Sequence, residues 1–197
     1  MNICIFGDSI TEGIDDACGG WVGRLNLNRD DANIINLGVD GDSTDGLVER
    51  FEADIKGKNP DIVVIAIGTN DSMYLSDDGR NYVSFEKFIG NLGILKRMAE
   101  RHAKRVIFVG LSPADERLTT PVSWGAGMYY TNREIERYDR AIRTFCEKEA
   151  AQFIDIHDDF MKLEYMDMLA DGLHPNALGY EWMAKKIATA LQSGAGR

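Results

Sequence analysis

The stretch "PDIVVIAIGTND", residues 60–71, decides the fold. Ile62 to Ile67 form a continuous apolar run, mostly β-branched, closed by Pro60-Asp61 before it and Gly68 after it. An alternating pattern would leave one face wet. A continuous run suits a parallel strand covered on both faces. Four other apolar runs repeat the theme: "ICIF" (3–6), "NIINL" (33–37), "VIFVGL" (106–111) and "FIDI" (153–156). Helical spacing lies between them. In 84–101, Phe85, Phe88, Ile89, Leu92, Leu95 and Met98 recur at three- and four-residue steps behind Ser84, a suitable N-cap. In 131–150, Ile135, Tyr138, Ile142 and Phe145 do the same, and Thr131 and Glu134 have capping-box spacing. Tyr180, Met183, Ile187 and Leu191 mark the inward face of a helix over 176–191. Residues 21–29 and 44–56 carry a fainter helical pattern. Five strands joined by helical crossovers imply an α/β fold with a parallel sheet between two helical layers.

The chain has 197 residues, 44% apolar and 27% charged, which suits one domain with a real core. That domain is expected over 1–192, followed by a frayed tail, "SGAGR", over 193–197. The formal charge of −10 argues against a nucleic-acid partner, which needs a basic face, and against docking on anionic membrane. No segment has the length of a membrane span, and the N-terminus does not read as a signal peptide. Cys4, Cys18 and Cys146 are three widely spaced cysteines with no C-x-x-C, as in a reduced cytoplasmic protein.

In open parallel sheets, ligands gather beyond the carboxyl ends of the strands. Gly7-Asp8-Ser9 follows the first strand, and Gly38 with "VDGDST" follows the second. "GTND" (68–71) follows the third, Ser112-Pro113 the fourth and His157 the fifth. Polar and glycine-rich chemistry therefore collects at one edge. A serine there needs a base, and the chain has three histidines. His102 closes a helix, where a cation is favourable. His157 is at the right edge, as a loop residue or a rival base. His174 lies in "DGLHPN" (171–176), where Asp171 can reach Nδ1 and leave Nε2 for a hydroxyl. An oxyanion needs donors; a backbone N–H at Gly38 and the amide of Asn70 qualify by position.

Four blocks, "FGDSITEG" (6–13), "NLGVDGDST" (36–44), "IGTND" (67–71) and "DGLHPN" (171–176), occur in the order found in the SGNH, or GDSL-type, hydrolases. The chain resembles that family over nearly its whole length. The resemblance implies a flavodoxin-like three-layer α/β/α sandwich and esterase or lipase chemistry with neither metal nor cofactor. It implies Ser9 as nucleophile, His174 as base and Asp171 as its partner, with an oxyanion hole of Ser9, Gly38 and Asn70. No G-x-S-x-G elbow is present. The expected partner is a small-molecule ester. A thioester, a lysophospholipid and an acetylated sugar remain open as substrates. The long segment 112–131 follows the fourth strand, and Trp124, Met128, Tyr129 and Tyr130 within it, with Tyr74, are candidate pocket walls. Two rival readings stand beside this one. A metal-dependent phosphoesterase would use Asp8, Asp71 and Asp171. A binding module would keep the fold without the reaction.

Overall fold

The computed structural model describes residues 1–28, 32–75 and 79–193. The strands are β1 (Asn2–Gly7), β2 (Asn33–Gly38), β3 (Ile62–Ala66), β4 (Tyr74–Leu75), β5 (Arg105–Val109), β6 (Met128–Tyr129) and β7 (Gln152–Ile154). The helices are α1 (Ser9–Glu12), α2 (Gly20–Gly23), α3 (Thr44–Ile55), α4 (Thr69–Ser72), α5 (Phe85–Glu100), α6 (Glu116–Thr119), α7 (Asn132–Lys148), α8 (His157–Phe160) and α9 (Ala177–Ser193). A five-stranded sheet runs in the order β2-β1-β3-β5-β7, every pair parallel. This order is flavodoxin-like, as the family resemblance implies.

Strand parity builds the two cores. Cys4, Phe6, Val63, Ile65 and Phe108 point to one face and pack under α3, α5 and α7. Ile3, Ile5, Ile62, Val64, Ile107 and Val109 point to the other and pack under Trp21, Val22 and the α9 residues Tyr180, Met183 and Ile187. Because both sets are apolar, the strands read as continuous runs.

The helix starts follow the cap chemistry. The Ser84 side chain accepts from the Lys87 N–H and that of Thr131 from the Glu134 N–H. Asn176 accepts from Leu178 and Gly179. The expected 21–29 helix shrinks to α2, since Arg24 turns back to pair with Asp16 and Asn28 takes φ +51°. Residue 29 lies outside the described residues. Ser193 belongs to α9, and the rest of the expected tail also lies outside them. A second sheet was not foreseen: β4 and β6 pair antiparallel and tie the 112–131 segment to the chain after "GTND".

β1, β2 and β3 end level, with Gly7 opposite both Gly38 and Ala66. The order reverses at β1 and β3, which opens a crevice at their carboxyl ends. Gly38 meets the start of that crevice with no room to spare. A Cβ there would lie 2.3 Å from the Glu12 nitrogen and 2.8 Å from its Cα, both backbone atoms that cannot rotate away. Gly38→Ala is therefore expected to lower the melting temperature by about 3–10 °C through overpacking of β2 against α1. An unchanged melting curve would contradict that packing.

Candidate active site

Ser9 is the first residue of α1, buried at the crevice floor. Asp8 caps this one-turn helix by accepting from the Ile10 N–H, and Gly13 ends it in a left-handed conformation at φ +79°. The Ser9 Oγ is 2.9 Å from His174 Nε2. The His174 Nδ1 is 2.7 Å from Asp171 Oδ2. The other Asp171 oxygen accepts from the backbone N–H groups of Leu173 and His174, at 2.9 and 2.8 Å. The loop carrying both residues is tied down by Asp115 N–H donating to the Gly172 carbonyl at 2.7 Å. The three side chains that the sequence singled out thus form one hydrogen-bonded chain.

The electrostatics follow from this geometry. Burial alone would lower the His174 pKa, but the bond to Asp171 and its charge, with Asp8 and Asp40 further off, raise it above the ordinary histidine value. Burial alone would raise Asp171, but bonds from the His174 ring and from two backbone N–H groups hold it below the usual carboxylate range. An anchored carboxylate, an oriented imidazole and a hydroxyl at Nε2 can generate an alkoxide on demand.

Asn70 is the second residue of α4, and its side chain is fixed at both ends. Nδ2 donates to the Asp42 carbonyl at 2.8 Å, and Oδ1 accepts from the Tyr130 hydroxyl at 2.7 Å. Gly38 is a different matter. Its N–H donates to Asn36 Oδ1 at 2.9 Å and so is already engaged, and Gly38 is not among the residues lining the Ser9 cleft. Gly41 lines that cleft instead, at φ +71°, in the turn closed by Asp42 N–H donating to the Val39 carbonyl. The signal for it was present in the sequence. Gly41 directly precedes the "DST" that opens α3, further beyond the strand end than Gly38.

The cleft holds about 240 Å³, and its walls include Ser9, Asn70, Met73, Tyr82, Trp124, Met128, Tyr130, Leu173 and His174. Trp124 stands 5.8 Å from the His174 ring, between centroids. Of the expected wall residues, Trp124 and Met128 are there, but Tyr74 and Tyr129 are not. Those two stack on each other at 5.3 Å on the β4–β6 ribbon. Side chains alternate along a strand, so Met128 and Tyr130 face the cleft while Tyr129 faces away, and Met73 is inside while Tyr74 is outside. His157 is buried elsewhere, where desolvation lowers its pKa, and does not line the cleft. His102 sits at the far end of α5, 2.9 Å from Glu52.

The carboxylates of the metal reading are each committed separately. Asp71 holds the Thr44 N–H and hydroxyl, Asp8 caps α1, and Asp171 holds His174. Among the described residues, no group of three or more His, Cys, Asp or Glu side chains is placed to hold a metal ion. No helix among them is long and apolar enough to cross a membrane.

Comparison with known proteins bears on the family and the fold. A multidomain esterase of Ruminococcus flavefaciens is 28% identical over 169 residues, 85% of this chain but 18% of that protein. The uncharacterized lipoprotein YqeF of Bacillus subtilis is 29% identical over 122 residues, 58% of this chain and 50% of its own. The chain thus spans half or less of these two relatives. The crystal structure of a lipase/acylhydrolase from Enterococcus faecalis superposes with a TM-score of 0.80 at 25% identity, covering 98% of this chain and 96% of that one. Residues 5–182 match the GDSL-like Lipase/Acylhydrolase family, and the chain belongs to it.

Proposed function

We propose that this chain is a serine esterase that hydrolyses small acyl esters through Ser9, His174 and Asp171. One observation carries the reading: the unbroken hydrogen-bond chain from the Ser9 hydroxyl through His174 to Asp171. Ser9 attacks the ester carbonyl as Nε2 of His174 takes its proton. Asp171 holds the tautomer and stabilises the imidazolium. The imidazolium then protonates the leaving alcohol, and water attacks the acyl-enzyme with His174 again as base. The oxyanion is received by the Asn70 amide and by the N–H groups of Ser9 and Gly41. Neither of those backbone groups has another partner among the described residues. Gly41 replaces Gly38 in this role.

The acyl group is short. A cleft of about 240 Å³ is below the roughly 300–1,000 Å³ of sites for drug-sized ligands, and Met73, Met128 and Leu173 line it. Asp40 at its edge and the overall charge of −10 disfavour anionic leaving groups. A second reading concerns the alcohol. Tyr82 and Trp124 line the cleft yet are 57% and 47% exposed, which presents flat aromatic surfaces to a sugar ring. An acetylated monosaccharide hydrolysed faster than p-nitrophenyl acetate would support it, and no turnover of the sugar would remove it. The unpaired thiols of Cys4, Cys18 and Cys146 suit a reducing compartment, the cytoplasm.

On p-nitrophenyl esters from acetate to palmitate, with EDTA present, activity is expected to peak between acetate and butyrate and to vanish in Ser9→Ala. Equal rates in the two proteins would overturn the serine mechanism, and loss on adding EDTA would revive the metal reading. Asn70→Ala is expected to lower kcat by about 10²–10³, the usual effect of deleting one oxyanion donor. Wild-type kcat in that variant would remove Asn70 from the hole. Because protonated His174 cannot accept the serine proton, kcat/KM should fall as pH drops through its pKa, at a pH above the free-histidine value of about 6.5. Asp171→Asn removes the bond and charge that raise it. The acid limb should then move to lower pH, and kcat should drop by about 10³–10⁴. A limb that stays in place would contradict the assigned pairing.

A further inference from the structure

We propose that Tyr130 is the positioning residue for Asn70, holding its amide so that an N–H faces the carbonyl oxygen of the ester. The inference rests on the oxyanion role of Asn70 given above. An asparagine amide has an accepting end and a donating end of nearly equal size, and it rotates easily about χ2. Turned the wrong way, it would set a carbonyl dipole against the forming oxyanion. The Asp42 carbonyl only accepts, so the end 2.8 Å from it must be Nδ2. That contact fixes one end and uses one N–H. The opposite end, Oδ1, meets the Tyr130 hydroxyl at 2.7 Å, so the amide plane is clamped at both ends and its second N–H is left for the cleft.

Tyr130 is suited to a permanent donor role. The residue is 3% exposed. Burial, with the nearby charges of Asp8, Asp40 and Asp171, pushes its pKa up, so the phenol keeps its proton wherever the enzyme works. Donation into the amide oxygen also polarises the amide and strengthens its N–H as a donor. The backbone at Tyr130 is itself held: its N–H donates to the Thr119 carbonyl at 3.0 Å, and the Thr119 hydroxyl donates to its carbonyl at 2.8 Å. Thr131, the next residue, is the N-cap of α7. The long segment after β5 therefore has a function in the reaction, because it returns across the crevice and delivers one hydroxyl to the back of the oxyanion donor.

The test is a double-mutant cycle on p-nitrophenyl acetate with Tyr130→Phe, Asn70→Ala and the pair. Tyr130→Phe keeps the ring and removes the donor. It is expected to lower kcat about tenfold, less than deletion of the amide itself, while KM stays within about twofold. The acid limb should not move, since His174 is untouched. In the Asn70→Ala background, the same substitution should change kcat by less than about twofold, because the group it acts through is gone. Wild-type kcat in Tyr130→Phe, or an undiminished effect in the Asn70→Ala background, would overturn the proposal. Wild-type kcat in Asn70→Ala would instead remove the reading on which it rests. A further variant, 4-aminophenylalanine at position 130, keeps both ring and para donor. It should return kcat to within about threefold of wild type. Failure to do so sinks the proposal even where Tyr130→Phe does not fold.

Discussion

The fold depends on parallel strands whose two faces are both covered by helices, because that arrangement leaves only the strand ends for chemistry. β1, β2 and β3 finish level, with Gly7 facing Gly38 on one side and Ala66 on the other. The segments that leave them must diverge, since the sheet order reverses there. The Ser9 turn, the turn around Gly41 and the Asn70 turn consequently face one crevice although they are far apart in sequence. His174 has the longest way to come, 165 residues from Ser9. Its loop is set by Asp115 holding Gly172 and by the Asn176 cap at the start of α9.

Buried acids join these turns to one another. Asp71 accepts from Thr44, which ties the "GTND" turn to the start of α3. Asp42 accepts from Arg50 at 2.7 Å, and Arg50 also donates to the carbonyls of Leu37 and Gly7, so one guanidinium gathers the ends of β1 and β2 with the turn beyond them. Burial pushes Asp71 up to about 6 and Asp8 up to about 7, which marks how costly these positions are for a carboxylate. By sequence they stand beside the reactive residues and look like candidate acids. By structure they accept backbone or hydroxyl hydrogens and serve as struts.

What was legible in the sequence, and what was not, follows from the range of each signal. The sheet strands were readable because parallel burial leaves an unbroken apolar run, and α5, α7 and α9 because a helix writes its inward face at three- and four-residue steps. Ser9, Asn70, Asp171 and His174 stood in short blocks with their partners a few residues away or at a strand end. Gly38 and Gly41 both follow β2, and only the turn geometry decides which N–H is free. Asn36 takes the Gly38 N–H, a contact two residues long that spacing alone does not reveal. Tyr74 and Tyr129 misled because an aromatic near a site can face either way. Their orientation depends on β4 and β6, each two residues long and too short to write a pattern. The 21–29 helix failed because the Arg24–Asp16 pair, an interaction across a loop, outweighs a faint local preference.

The proposed reaction makes a cation and an anion a few ångströms apart, and the site sorts its polar groups to match. The acids Asp171, Asp8 and Asp40 all act on His174 and favour the imidazolium that forms when Ser9 gives up its proton. On the other side the oxyanion would meet only neutral donors, two backbone N–H groups and an amide. Exchanging the two sets would fail at both places: a carboxylate beside the oxyanion would repel it, and amide donors beside the imidazolium would not hold it. The amide is the weak member of the donor side, because it alone can turn its oxygen toward the substrate. Fixed peptide groups need no such correction. A side-chain donor does, and its bonds to the Asp42 carbonyl at one end and from the Tyr130 hydroxyl at the other supply it before any substrate arrives, which is the condition for electrostatic stabilisation to lower a barrier.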